Sequence, residues 1–136
     1  MKKFICNSLD DTKKAAEYFS EFAKLGQCFA LYGNLGFGKT TFAQYLIKIL
    51  NPEIENIISP TFNIIQTYPC EIAKIWHIDC YRLKSADEFY ELGIEEAFSD
   101  CITIIEWPEI IEDMLPNNTI KINFSKTNDL RTIAIK

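Results

Sequence analysis

Arginine is scarce in this chain: Arg82 and Arg131 are the only two among 136 residues, the formal net charge is −5 and the isoelectric point lies near 4.9. Strong direct binding to nucleic acid draws on Lys and Arg neutralising phosphates, so the composition argues against it while leaving room for a local basic patch. Histidine is scarcer still. With His77 alone, the chain cannot assemble a multi-histidine metal site without help. No apolar run approaches the ~18 residues of a membrane span, and the opening MKKFICNSLDD turns acidic before a signal-like apolar region develops. A soluble, cytoplasmic protein with no membrane partner is expected. Five cysteines (Cys6, Cys28, Cys70, Cys80, Cys101) are odd in number and widely spaced, with no CxxC pair. They neither frame disulfides nor ligate zinc, and read as reduced, mostly buried apolar residues with no disulfide partner.

What is present suffices for a core: 48% of the residues are hydrophobic, over a length suited to one domain spanning 1–136. Residues 33–41 read GNLGFGKTT and fit GxxxxGK[ST], with Gly33, Gly38, Lys39 and Thr40 at the fixed positions. In such a loop glycines let successive backbone N–H groups turn toward one anion, the lysine neutralises the outer phosphates and the hydroxyl ligates Mg²⁺. The candidate phosphate-binding residues are therefore Gly33, Asn34, Leu35, Gly36, Phe37, Gly38, Lys39, Thr40 and Thr41. The flanks agree. Gln27 to Tyr32 is a short apolar run suited to a buried strand. Phe42, Leu46, Ile49 and Leu50, with Ala43 and Ile47 beside them, recur at helical spacing until Asn51-Pro52 stops the helix. The helix N-terminus then points its free N–H groups and partial positive charge at the phosphates.

Elsewhere, Lys2 to Cys6 reads as a short strand, and SLDDTKKAAEYFSEFAKLG from Ser8 as an amphipathic helix that ends at Gly26. Thr12, near its start, is either a solvated first-turn residue or a neighbour of a nucleotide base. Phe62 to Tyr68 and Ala73 to Tyr81 read as a hairpin. Alternation in the second run puts Ala73, Ile75, His77, Asp79 and Tyr81 on one face, so the strand's end opens toward a site. Ser85 with Glu88 is a capping-box signal for a helix through Leu92, closed by Gly93, with Ile94 to Phe98 a further turn. Cys101 to Ile105 is an apolar strand ending in Glu106-Trp107-Pro108, and a carboxylate at a buried strand's end is where P-loop proteins hold Mg²⁺. A short helical stretch from Glu109 to Leu115 precedes a final hairpin of Thr119 to Phe124 with Arg131 to Ile135. These elements predict an α/β fold: a mixed, largely parallel central sheet flanked by helices, with a C-terminal β-hairpin.

Four islands then stand out: GNLGFGKTT (33–41), SPT (59–61), HIDCYR (77–82) and EWP (106–108). In their order and spacing, over nearly the whole chain, it resembles the TsaE (YjeE) family of small P-loop ATPases needed for threonylcarbamoyladenosine modification of tRNA. The resemblance implies ATP and Mg²⁺ as cofactors, a complex with TsaB- and TsaD-type proteins, and contact with tRNA only through that complex. It makes Lys39 the phosphate lysine, Thr40 a Mg²⁺ ligand and Glu106 the strand-end acid at the metal. Asp79 becomes an essential acid that places water or metal, so Asp79 and Glu106 are the candidate catalytic residues. Ser59, Thr61, His77, Tyr81, Arg82 and Trp107 fall in the same motifs. One departure is visible: Asn34 stands where the family usually has Asp, which removes any role that depends on that charge.

On residue chemistry alone, Trp107 also fits a packing residue, His77 a satisfied half-buried histidine, Asp79 a strand-end cap and Thr61 ordinary turn chemistry. Two other classes share the loop. A small-molecule kinase needs several cations to clamp the moving phosphoryl group, which two arginines argue against. A binding module in which the nucleotide orders loops for docking stays open. The charge balance predicts that the isolated chain binds tRNA with a dissociation constant of about 10⁻⁵ M or weaker at physiological salt. Fluorescence anisotropy with labelled tRNA checks this, and sub-micromolar binding would count against the charge argument.

Overall fold

Two strands buried along their whole length set the middle of the molecule. In the computed structural model, which describes residues 2–34, 36–60 and 64–136, β2 (Cys28–Tyr32) and β5 (Ile102–Glu106) are buried at every position and lie side by side in parallel. Strands buried on both faces need cover on both faces. Around them lie β1 (Lys3–Cys6), α1 (Leu9–Ser20), α2 (Lys39–Leu50), β3 (Ile65–Tyr68), β4 (Ile75–Asp79), α3 (Ala86–Tyr90), α4 (Ile94–Asp100), a 3₁₀ segment (Pro108–Met114), β6 (Ile120–Thr127) and β7 (Leu130–Ile135).

The seven strands form one sheet in the order β1-β7-β6-β2-β5-β4-β3. Its four central strands, β6, β2, β5 and β4, run parallel, while β3, β7 and β1 are antiparallel to their neighbours. The expected α/β class, the parallel centre and the terminal hairpin are all found. That hairpin turns at Asn128 (φ 49) and Asp129, with Thr127 opposite Leu130, a two-residue loop that tolerates a left-handed residue.

The faces divide by alternation. Phe29, Leu31, Ile75, Ile102 and Ile104 meet α1 and α2 through Ala15, Ala16, Phe19, Phe42, Ala43, Leu46 and Ile47. Phe19, Phe42 and Phe124 stack edge to face across this layer, with centroids 5.8 and 5.3 Å apart. Cys28, Ile78 and Ile105 point the other way, onto Phe89, Ile94, Ala97 and Ile111 from α3, α4 and the 3₁₀ segment. All five cysteines are free thiols; burial pushes Cys28 up to about 11 and Cys80 up to about 12, so both remain protonated and unreactive. No helix among the described residues is long and apolar enough to cross a membrane.

Three local expectations change. Helix α1 ends at Ser20, short of Gly26: the Ser20 hydroxyl donates to the Glu17 carbonyl at 2.6 Å, and the N–H groups of Phe22 and Ala23 bond three residues back, tightening the last turn. Gly26 instead starts the approach to β2, its N–H donating to the Cys101 carbonyl at 3.1 Å. Ser85 does precede α3, but its side chain makes no cap bond and the helix is held by the buried Phe89. Side-chain capping forms at α1 instead, where the Asp11 N–H donates to Ser8 Oγ and the Asp11 carboxylate accepts from the Asn7 N–H, one residue before the cap. Finally, Ile94 to Phe98 extends into the helix α4. The expected strand from Phe62 is described from Ile65 onward; Phe62 and Asn63 lie outside the described residues.

The parallel strands bring the site together. β2, β5 and β4 all end at one edge of the sheet, so Gly33, Glu106 and Asp79 are neighbours although far apart in sequence. Such an edge, at the carboxyl ends of parallel strands, is where open α/β sheets bind ligands. Gly33 must remain glycine for reasons of packing. Its φ is +140, and a Cβ there would sit 2.4 Å from the Phe124 carbonyl oxygen of β6. Gly33→Ala is therefore expected to lower the stability of the ligand-free protein by about 2 kcal/mol or more, read by urea denaturation. An unchanged midpoint would show that β2 and β6 can separate at no cost.

Candidate functional site

The loop after β2 is shaped by its backbone. The Asn34 carbonyl accepts the Phe37 N–H at 3.3 Å, and the Phe37 side chain packs onto the core beneath. Gly38, in the left-handed region at φ 97, starts α2 without any side-chain cap, which leaves the first-turn amides for a ligand. Lys39 is only 5% exposed. Its ammonium donates to the Gly33 carbonyl and lies 3.4 Å from the centroid of the Trp107 ring, a cation–π contact. Burial lowers its pKa, while Glu106, Glu109 and Asp79 act in the opposite direction.

Trp107 is aimed by its own backbone. At φ 55, ψ 56 it occupies a conformation that bulky residues avoid, at a cost on the order of 1–3 kcal/mol. It turns the indole over Lys39 and against Tyr81, whose ring centroid is 4.9 Å away. The 3₁₀ segment that follows is tied to the end of β2, because the Tyr32 hydroxyl donates to the Glu112 carboxylate.

Glu106 ends β5 and is 2% exposed. Its Oε1 accepts from the Thr40 hydroxyl and its Oε2 meets His77 Nε2, each at 2.7 Å. His77 is fully buried, and its Nδ1 has no partner among the described residues; the expectation of a half-buried, satisfied histidine gives way to one paired through a single nitrogen. Asp79 sits opposite Glu106 in the parallel β4–β5 register and its Oδ1 accepts the Tyr81 N–H at 2.9 Å. Burial raises the Asp79 pKa; the Tyr81 N–H, His77 and Lys39 oppose that rise, while the nearby Glu106 charge adds to it.

A cleft of about 360 Å³ opens between these groups. Gly36, Gly38, Lys39, Thr40 and Thr41 line it from the loop and helix; Ser59, Asp79, Tyr81, Arg82, Glu106 and Trp107 line it from the other islands. Gly33, Asn34 and Phe37 shape the loop, and His77 lies behind Glu106. Leu35 and Thr61 lie outside the described residues. Sequence reasoning missed Arg131, which reaches the same cleft from β7. Its one signal was rarity, as one of two arginines in an acidic chain. Arg131 also borders a second cleft of about 300 Å³, lined by Cys6, Asn7, Ser8, Leu9, Thr12, Lys126 and Asp129. Thr12 is buried, which corrects the solvated reading.

Among the described residues no group of three or more His, Cys, Asp and Glu side chains is placed to hold a metal ion. A hydroxyl and a carboxylate held together, Thr40 and Glu106, are nevertheless hard oxygen donors. That set suits Mg²⁺, which is commonly held by one or two protein oxygens together with substrate phosphates and water.

A family model described as "Threonylcarbamoyl adenosine biosynthesis protein TsaE" matches residues 6–133. The tRNA threonylcarbamoyladenosine biosynthesis protein TsaE of Rickettsia bellii is 46% identical over 125 residues, 92% of this chain and 87% of that protein. The protein of the same name from Bacillus subtilis is 36% identical over 122 residues, 88% of this chain and 75% of the relative. Among solved structures, Bacillus subtilis YdiB superposes with a TM-score of 0.76 at 30% identity, covering 97% of this chain and 82% of that one.

The Lys39–Trp107 contact generates a spectroscopic prediction. A polyphosphate ligand that draws the ammonium off the ring is expected to change indole emission, and titration with ATP reads it. Trp76 lies farther back along the sheet, beside Thr103 in the β4–β5 register, so Trp107→Phe should abolish the change while Trp76 still emits. A change that persists in Trp107→Phe would show that the indole does not report on the lysine.

Proposed function

The chain belongs to the TsaE family, and from that premise we propose that it binds and hydrolyses ATP in support of tRNA threonylcarbamoyladenosine formation, with turnover dependent on TsaB- and TsaD-type partners. One observation carries the reading: the Thr40 hydroxyl and the Glu106 carboxylate meet at 2.7 Å in the cleft that Lys39 and Asp79 also line. A phosphate loop without a strand-end acid would bind nucleotide; the acid beside it supports hydrolysis.

In this reading the first-turn amides of α2 and the Lys39 ammonium hold the phosphates, Lys39 giving up the Gly33 carbonyl and the Trp107 ring to do so. Thr40 and Glu106 would hold Mg²⁺, which when bound would neutralise charge on the outer phosphates. Asp79, at the rim beside Glu106, orients the attacking water. Arg82 and Arg131 add positive charge around the departing phosphoryl group. The second cleft, which shares Arg131 and is lined by Thr12, is the candidate place for the nucleoside half. Asn34 does not disturb this arrangement, because its backbone carbonyl closes the loop turn whatever the charge of its side chain. Partner proteins order the cleft or complete its charge, effects that in other P-loop enzymes reach about 10³ to 10⁵ in rate.

Binding and chemistry should separate by residue. Lys39→Ala is expected to weaken ATP binding by at least about 2 kcal/mol, the scale of a lost charge-assisted contact. Asp79→Ala and Glu106→Ala are expected to lower hydrolysis by about 100-fold or more, with little change in affinity for ATP measured in EDTA. Phosphate release is followed with and without the partner proteins, beside calorimetric titration. Equal losses of turnover and of metal-free affinity would put the two acids in the wrong roles, and fast unassisted turnover would remove the partner requirement.

A further inference from the structure

Glu106 and His77 are both buried, and a buried carboxylate is stable only when its oxygens are hydrogen-bonded. Two donors reach Glu106 from opposite sides. Thr40, on α2, supplies its hydroxyl to Oε1 from the cleft side; His77, on β4, meets Oε2 from within the sheet, each at 2.7 Å. Carboxylate oxygens only accept, so the donated proton is on His77 Nε2. His77 Nδ1 has no partner among the described residues, so the ring commits its one hydrogen bond there to Glu106. Packing holds the ring itself, since His77 is 0% exposed. Parallel pairing sets His77 beside Ile104 and Asp79 beside Glu106. One strand end thus presents Asp79 to the cleft and the imidazole to the carboxylate behind it.

We infer that His77 is a positioning residue: its Nε2–H fixes the Glu106 carboxylate so that Oε1 stays directed at the cleft when the Thr40 hydroxyl turns from it. The inference rests on the proposed ATP and Mg²⁺ reading of the cleft and deepens it. Thr40 is the donor that a metal ion would claim, and once its hydroxyl is committed elsewhere, His77 is the group that still orients the acid. His77 itself does not line the cleft and acts through Glu106. Partners that orient metal-binding side chains typically change metal affinity or activity by about 10- to 100-fold when removed.

The test compares two polar substitutions of similar bulk in the full chain. The amide nitrogen of His77→Gln reaches about as far as Nε2, whereas that of His77→Asn, one methylene shorter, falls short of Oε2. ATP affinity is measured by calorimetry with Mg²⁺ and again in EDTA, turnover is measured with the partners present, and thermal melting verifies folding. His77→Asn is expected to lose most of the Mg²⁺-dependent gain in affinity and about 10- to 100-fold in turnover. Its metal-free ATP affinity should stay near that of the parent, and His77→Gln should retain both properties. The inference is overturned if His77→Asn keeps the gain and the turnover, if both variants fall equally, or if metal-free affinity falls in step with turnover. A parent protein with no Mg²⁺-dependent gain and no hydrolysis would overturn the functional reading, and this inference with it.

Discussion

A carboxylate at 2% exposure is the constraint on which the rest of this structure depends. Glu106 ends a strand buried on both faces, and without donors for both oxygens the end of β5 would have to open to water. The donors come from two other elements, α2 and β4. Satisfying one side chain therefore fixes where the phosphate-loop helix begins relative to the sheet and how β4 lies beside β5. The backbone reinforces that register, with the Cys80 N–H donating to the Glu106 carbonyl at 3.0 Å.

The cleft is electrostatically tense in the ligand-free protein. Lys39 is buried, its charge disfavoured by desolvation and supported by the acids around it; Asp79 is pushed toward its neutral form by burial and by Glu106. An aromatic ring and a backbone carbonyl occupy the lysine meanwhile. In the proposed reading a polyphosphate would give the ammonium a stronger partner, and the Mg²⁺ that accompanies it would offset the negative charge beside Glu106 and Asp79. The αL backbone of Trp107 belongs to the same picture: strain at one residue is retained because the surrounding 3₁₀ segment is tied through Glu112 to the end of β2 and through Ile111 to the second core layer.

Charge placement reconciles an acidic protein with a phosphate ligand. Both arginines, Arg82 and Arg131, border one cleft together with Lys39, although the chain as a whole carries −5. A small anion is attracted locally, while an extended polyanion meets a surface of the wrong sign. This distribution supports the proposed reading, in which a nucleotide is bound in the cleft and contact with tRNA runs through other proteins.

Short-range pattern carried much of this information. The spacing of GNLGFGKTT with an apolar run before it and a helical run after it determined loop and helix. Alternation in AKIWHIDCY put His77 and Asp79 on one face, and the apolar run ending at Glu106 put an acid at a strand terminus. Each of these lies within about two dozen residues, where backbone geometry and hydrophobic period act directly. The structure alone decided what pairs over distance: the strand order, the seating of Arg131 in the cleft, the Trp107 ring over Lys39, and the single-nitrogen bond of His77 to Glu106. It also decided where local signals lose, as when side-chain capping forms at Ser8 but not at Ser85, and when α1 stops at Ser20 well short of Gly26. The physical reason is the same throughout. Periodicity and turn chemistry are properties of one segment, whereas partner choice for a buried polar group depends on which segments the sheet brings together.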